Sequence, residues 1–367
     1  MIETNPESRA MTMRMSAAPE PEAAVGSPDQ MVASFEIDDT DLVRRLQNFL
    51  HSYPTVVSAT VLVLSLVTFG LIVGPRFFTP FNFSLILQQV TVISVIGAAQ
   101  TLVILTAGID LSVGALMVLC AVVMGVNAVD HGMPQGLAIA LAFAVGALGG
   151  LVNGLLVTHV KLPPFIATLG TWNVFFALNL WYSGGQTIVA QNITTAAPSL
   201  QVFGDSVNFA GMRLTVGTVL MLGLYALLWY ILNRTAWGRH IHAIGDDQDA
   251  ARLAGVRVKR TLVSAYVFAG LICALAGWVL IGRIGSVTPQ EGVTANLDSI
   301  TAVVVGGTSM FGGRGSLFGT LVGALIVGVF RNGLALAGVD ALWQGFAIGL
   351  LIVVAVAIDQ WLRELSA

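Results

Sequence analysis

Residues 85–105 read LILQQVTVISVIGAAQTLVIL, twenty-one residues without a charged side chain. A helix rising 1.5 Å per residue crosses a ~30 Å hydrocarbon layer in about 20 residues, so this stretch can span a bilayer. Nine more apolar runs flank it, at 55–73, 111–129, 136–157, 165–182, 214–232, 262–281, 298–310, 316–338 and 342–358. Composition agrees: of 367 residues 56% are hydrophobic and 10% charged, with a mean hydropathy of +0.83. A soluble domain carries about 25% charged residues. The reading is an all-α polytopic membrane protein of about ten transmembrane spans. The run at 298–310 is too short for one regular crossing and ends in Gly306-Gly307. It predicts a broken or tilted element, tolerated in a membrane only where protein or water covers the open backbone.

Charge is concentrated outside those runs. Residues 1–53 hold 13 of the 37 charged side chains, nine acidic and four basic. The overall net charge of −3 comes from that tail, and no basic surface points to nucleic acid. Residues 1–50 read as a cytoplasmic tail, disordered to residue 34 and then a short surface helix or a solvated linker. Leu42, Leu46, Phe49 and Leu50 share one face there. Residues 51–367 form the transmembrane domain, with the connection 233–260 as its largest inner loop. With the N-terminus inside, inner connections hold eleven Lys and Arg, from Arg44 to Arg363. Outer ones hold three: Arg76, Arg213 and Arg283. That bias places both termini in the cytoplasm and fits an even number of spans.

Ten spans in two halves of five would form an inverted repeat. Span four reads VGALGGLVNGLLV from Val145 and span nine VGALIVGVFRNGLAL from Val322. Each carries glycines four apart, at 146, 150 and 154 and at 315, 319 and 323, a spacing that lets helix backbones approach closely.

The chain has two lysines, Lys161 and Lys259, each preceded by valine, so it contains no Gly-Lys-[Ser/Thr] phosphate loop. Energy from ATP would have to come from a partner. The inner connection reads NRTAWGRHIHAIGDDQDAARLAGVRVKR from Asn233 to Arg260. Asp246 or Asp247 can cap a helix over Gln248–Ala254, and Gly255 stands where a left-handed residue would end it. Such a two-turn helix, with Ala251 and Leu253 on its exposed face, is too short to stand alone and suits a partner's groove. A solvated basic loop is the plainer reading.

Asp249-Ala250-Ala251-x-x-x-Gly255 resembles the Glu-Ala-Ala-x-x-x-Gly element by which permeases of ABC importers dock on their ATPase subunits, with Asp in place of Glu. LTAGIDLSVGALMVL (105–119), KLPPFIATLGTWNV (161–174) and AVVVGGTSMFGGRG (302–315) resemble the ribose/xylose/fructose branch of those permeases. Residues 176–183 lean toward its fructose members. The resemblance covers roughly residues 45–365. It implies a multi-pass permease domain in the bacterial inner membrane, paired with a second copy of itself. Its partners would be a cytoplasmic ATP-binding subunit, docked through Asp249, Ala250, Ala251 and Gly255, and a periplasmic sugar-binding protein. No catalytic residue, cofactor or metal is expected, and the work is conformational.

Polar residues within or beside the spans are pathway candidates: Gln89 and Gln100, three turns apart on one face, together with Asp110, Asn153, Asn173 and Asn332. Amides donate and accept hydrogen bonds without demanding charge, which suits a neutral sugar; they equally join helix to helix. Asp110 also reads as a cap for the third span. Arg331 reads as snorkelling to the surface, with a pair to Asp298 or Asp340 as the sharper alternative. The external connection 183–213, long and polar, reads as a landing surface for the binding protein. A secondary transporter driven by ions is the rival, disfavoured because no Glu lies within a span.

Overall fold

The computed structural model describes residues 54–364, apart from Ala210 and Val293. The expected tail and surface helix, residues 1–52, lie outside them. In chain order the helices are α1 (Pro54–Val73), α2 (Pro80–Ile104), α3 (Val113–Gly125, prolonged by a π turn over Val126–Asp130), α4 (Gln135–Thr158) and α5 (Pro164–Ser183). Then come α6 (Ala190–Ala196), α7 (Val216–Arg234), α8 (Ala236–Asp246), α9 (Gln248–Leu253), α10 (Val258–Ile284), α11 (Ala295–Val305), α12 (Leu317–Leu336) and α13 (Ala341–Glu364). Each apolar run has its helix, and α6, α8 and α9 lie between runs. Among the described residues seven helices are long and apolar enough to cross a membrane. Eleven-residue α11 is the short element that the sequence predicts, ending at Gly306.

Between α6 and α7 lie a 3-10 segment (Pro198–Gly204) and an antiparallel hairpin, β1 (Ser206–Phe209) with β2 (Met212–Thr215). The hairpin marks one end of the bundle and α9 the other. Helix starts follow from local chemistry. Thr79, Thr215 and Ser316 turn hydroxyls onto the amides of Asn82, Thr218 and Gly319, satisfying donors that the first turn leaves free.

Helices α2, α3 and α10 make up most of the buried centre. Peripheral helices keep apolar faces open, as at Leu71 on α1, Leu148 on α4 and Trp229 on α7. With no hydrophobic drive between helices in lipid, close packing must hold the centre together. The glycines of α4 serve that purpose. A Cβ on Gly146 would run into the carbonyl of Gly270 on α10, and one on Gly150 into that of Tyr266. The obstacles are backbone, so no rotamer relieves them. Gly150→Leu should therefore destabilise by more than the roughly 1–3 kcal/mol typical of core overpacking. Detergent-extracted folded protein should fall sharply on size-exclusion chromatography, while Gly170→Leu, with open space around it, should match the parent.

The contacts follow the expected repeat. Exchanging the halves maps α2 onto α10, α3 onto α11 and α4 onto α12. Helix α2 packs on α12 as α10 packs on α4, and α11 on α2 as α3 on α10. The glycine ladders are not equivalent, however. On α12, Gly319 and Gly323 close on Gly306 and Ala302 of α11, whereas Gly315 precedes the helix beside Thr308.

Candidate functional site

The break expected in the eighth span lies before its helix. Val287 packs on Gly125 of α3 and pairs with Ile188. The Pro289 carbonyl accepts from Asn179 Nδ2 on α5 at 2.7 Å, and Gly292 rests against Met117 and Val118. Asn296 Oδ1 accepts from the Gly114 amide at 2.5 Å. These contacts follow α3 from residue 125 back to 117 before α11 begins and to 114 in its first turn, so the segment after α10 descends ~12 Å into the bundle ahead of the helix. Its irregular backbone is covered by α3 and α5, the condition under which such a segment survives at membrane depth.

That descent leaves a cavity of about 300 Å³, with Gln89, Arg283, Glu291, Asp298, Arg331 and Gln344 among its lining. Arg331 Nη2 on α12 donates to both carboxylate oxygens of Asp298, at 2.7 and 2.9 Å, and Asp298 is buried in the first turn of α11. The helix dipole favours an anion there. Of the two readings open for Arg331, the structure therefore selects the pair with Asp298 and overturns snorkelling. Gln89 Oε1 is buried without a hydrogen-bond partner. Gln100, eleven residues on along α2, is fully buried and neither amide atom has a partner.

Toward the α9 end the interior is sealed. Ser112 donates to Asp110 Oδ1 from its amide at 2.7 Å and its hydroxyl at 2.6 Å. Asn153 Nδ2 donates to Ser112 Oγ at 2.8 Å and reaches Asp110 Oδ2 at 3.4 Å, while Thr171 Oγ1 donates to Asn153 Oδ1 at 2.7 Å. Asp110 thus locks the turn before α3 and joins α4 and α5 to it. Ser112, rather than Asp110, occupies the cap position, without a side-chain capping bond.

Beyond this seal stands the short helix foreseen after Arg234. Asp247 Oδ1 accepts from the amides of Asp249 and Ala250 at 2.8 and 3.0 Å, and Gly255 ends the turn at φ +86°. Leu253 is 90% exposed. Ala251 is a correction: it is buried with Ile244, Val258 and Leu262, so it fastens α9 to α8 and α10 instead of facing out. Asp249 pairs with Arg252 at 2.9 Å on the surface, where such pairs contribute little. Helix α8 fixes this knob to the bundle. A Cβ on Gly245 would strike the Leu105 carbonyl and the Gly313 amide, and His242 Nδ1 lies 3.1 Å from the Gly313 carbonyl. Gly313 N in turn donates to Leu105 O at 3.1 Å. Helix α8 thus links α9 by direct contact to both the turn after α2 and the turn before α12.

Of the pathway candidates, Gln89 lines the cavity, and Asp110 and Asn153 meet in the seal. Asn332 is buried on α12 with Oδ1 unpartnered. Asn173 does not join them: it faces outward and donates only to Leu169 O of its own helix at 3.1 Å. Sequence reasoning passed over Arg283 and Glu291 as pathway groups, because they sit at the edge of a connection whose descent carries no periodic signal.

A bundle broken in this way, polar at its breaks and carrying a capped knob at one end, defines a membrane permease. Residues 82–356 match the family described as branched-chain amino acid transport system / permease component, and the chain belongs to it. The chain is 57% identical to the fructose import permease protein FrcC of Rhizobium meliloti, over 92% of this chain and 93% of that protein. It is 41% identical to the ribose import permease of Bacillus subtilis, over 79% and 88%. The galactose/methyl galactoside import permease of Escherichia coli is 34% identical, over 82% and 92%. No solved structure matches the chain. The chain is a multi-pass protein of the bacterial inner membrane.

Proposed function

We propose that the chain is the membrane subunit of an ATP-driven importer for a monosaccharide, with fructose as its substrate. The observation that carries this reading is the 57% identity, spanning nearly both chains, to a fructose import permease. On this reading ATP hydrolysis belongs to a cytoplasmic partner that holds α9 through Asp249, Ala250, Ala251 and Gly255. The exposed Leu253 supports a groove-bound knob. The termini lie in the cytoplasm, the hairpin end faces the periplasm, and a sugar-binding protein lands there. Val207 and Phe209, exposed on the hairpin, suit such a contact. A second copy of the chain completes the pathway, and residues 51–367 act as one permease domain whose coupling loop is 233–260. The structure then corresponds to a form open toward the hairpin end and sealed at Asp110 and Asn153.

Transport is alternating access: binding energy at the partner shifts the bundle between forms open to either side. Membrane vesicles holding the complete importer should take up D-fructose only with ATP inside, and an uncoupler should leave uptake unchanged. Uptake that survives ATP depletion and collapses with the uncoupler would return the ion-coupled rival.

A further inference from the structure

We propose that the cavity beside Asp298 and Arg331 is itself a subsite for a neutral monosaccharide, so that the permease, and not only an external binding protein, selects the sugar. This deepens the importer reading and rests on it.

Three observations carry the inference. The first is size. A volume of about 300 Å³ lies at the lower bound of the roughly 300–1,000 Å³ of small-molecule sites, which fits one sugar ring and excludes an oligosaccharide. The second is charge. Two guanidinium groups, Arg283 and Arg331, face two carboxylates, Glu291 and Asp298, around one cavity. Their formal charges cancel, so the site gives no net attraction to a sugar phosphate or a sugar acid. The groups still offer strong donors and acceptors to neutral hydroxyls. The third is unmet hydrogen-bonding capacity. Gln89 Oε1 borders the cavity with no partner, and Gln100 lies three turns farther along the same helix, fully buried, with both amide atoms unmet. Buried polar groups are ordinarily paired, and leaving one unpaired is costly. A sugar hydroxyl in the cavity satisfies Gln89, which lines it; Gln100 does not line it. Among the described residues no aromatic side chain lines the cavity, so no ring face there stacks on the sugar and binding is weak, as passage requires.

The internal repeat supports the same assignment. Ala107-Gly108-Ile109-Asp110 and Ala295-Asn296-Leu297-Asp298 stand just before or at the start of α3 and α11, the helices that exchange under the repeat. The acids then stand at the starts of corresponding helices, Asp110 three residues before α3 and Asp298 in the first turn of α11. Asp110 spends its hydrogen bonds within the protein and seals one side. Asp298 opens on a cavity at the other. The second-half partner is a guanidinium, Arg331, one residue before Asn332, whereas in the first half the acid's partners are neutral, Ser112 and Asn153.

The test is ligand-observed NMR saturation transfer on the full chain in nanodiscs, with D-fructose, D-ribose, D-galactose and fructose 1-phosphate as probes. Uptake by the complete importer is measured in parallel. A saturation signal is expected from at least one neutral sugar and none from the phosphate. Gln89→Leu, which leaves the ion pair in place, should weaken the signal at least fivefold and raise the half-saturation of uptake while the binding protein is unchanged. Asp298→Asn should shift the order of preference among the three sugars. Uptake with no saturation signal from any probe, or a signal untouched by Gln89→Leu and Asp298→Asn, would overturn the subsite and leave the importer reading standing. A signal from ribose or galactose alone would support the subsite and overturn fructose as the substrate.

Discussion

Replacing Leu253 with glutamate should abolish sugar uptake while the chain stays folded in the membrane. Leu253 is 90% exposed at the tip of α9 and contributes nothing to the core, so the substitution leaves the bundle intact. Covering a leucine fully contributes about 1.5–3 kcal/mol, and a carboxylate forced into an apolar groove adds a desolvation penalty. A combined loss of about 2 kcal/mol or more lowers affinity at least tenfold. The fold readout, thermal unfolding in detergent, should match the parent within about 0.5 kcal/mol, as for other surface changes. Uptake that persists at the parental rate would show that Leu253 touches no partner.

The second large effect lies at the other end. Arg331→Met should destabilise the protein by about 1–3 kcal/mol, because it leaves the Asp298 carboxylate without its half-buried counter-charge. Asp298→Asn combined with Arg331→Met removes both charges and should recover much of that loss. Unfolding midpoints of the two single variants and the double variant in detergent measure the coupling. A snorkelling arginine would show none, and all three variants would then sit near the parent.

Much of this fold is legible in the sequence, because the bilayer imposes a length. A run such as 85–105 has one way to satisfy its backbone in hydrocarbon, and each apolar run meets its helix within five residues at every described start. The knob is equally legible. Asp247 as cap and Gly255 as left-handed stop act within one turn of chain, and no distant residue is needed to read them. Ala251 is different. Whether it faces water depends on how Val258 and Leu262 of the next helix fold back over Ile244, a tertiary matter that α9 alone does not specify. Asn173 could have been excluded. Thr168, Thr171, Phe175 and Asn179 recur at helical spacing on the buried face of α5, and position 173 falls off that face. The cavity was hidden for another reason. Arg331 and Asp298 could be paired from the sequence, but Arg283 and Glu291 lie at and beyond a span edge, and only the descent after α10 beside α3 places them around the same cavity.

Helix α9 is the proposed handle through which a nucleotide-hydrolysing partner moves the bundle. The most direct measurement titrates the purified ATPase subunit onto the full chain in nanodiscs and compares the parent with Leu253→Glu. Saturable binding to the parent, weakened tenfold or more by the substitution with the melting curve unchanged, is the predicted result. Equal binding to both, or sugar movement by the purified chain with no ATPase present, would contradict it.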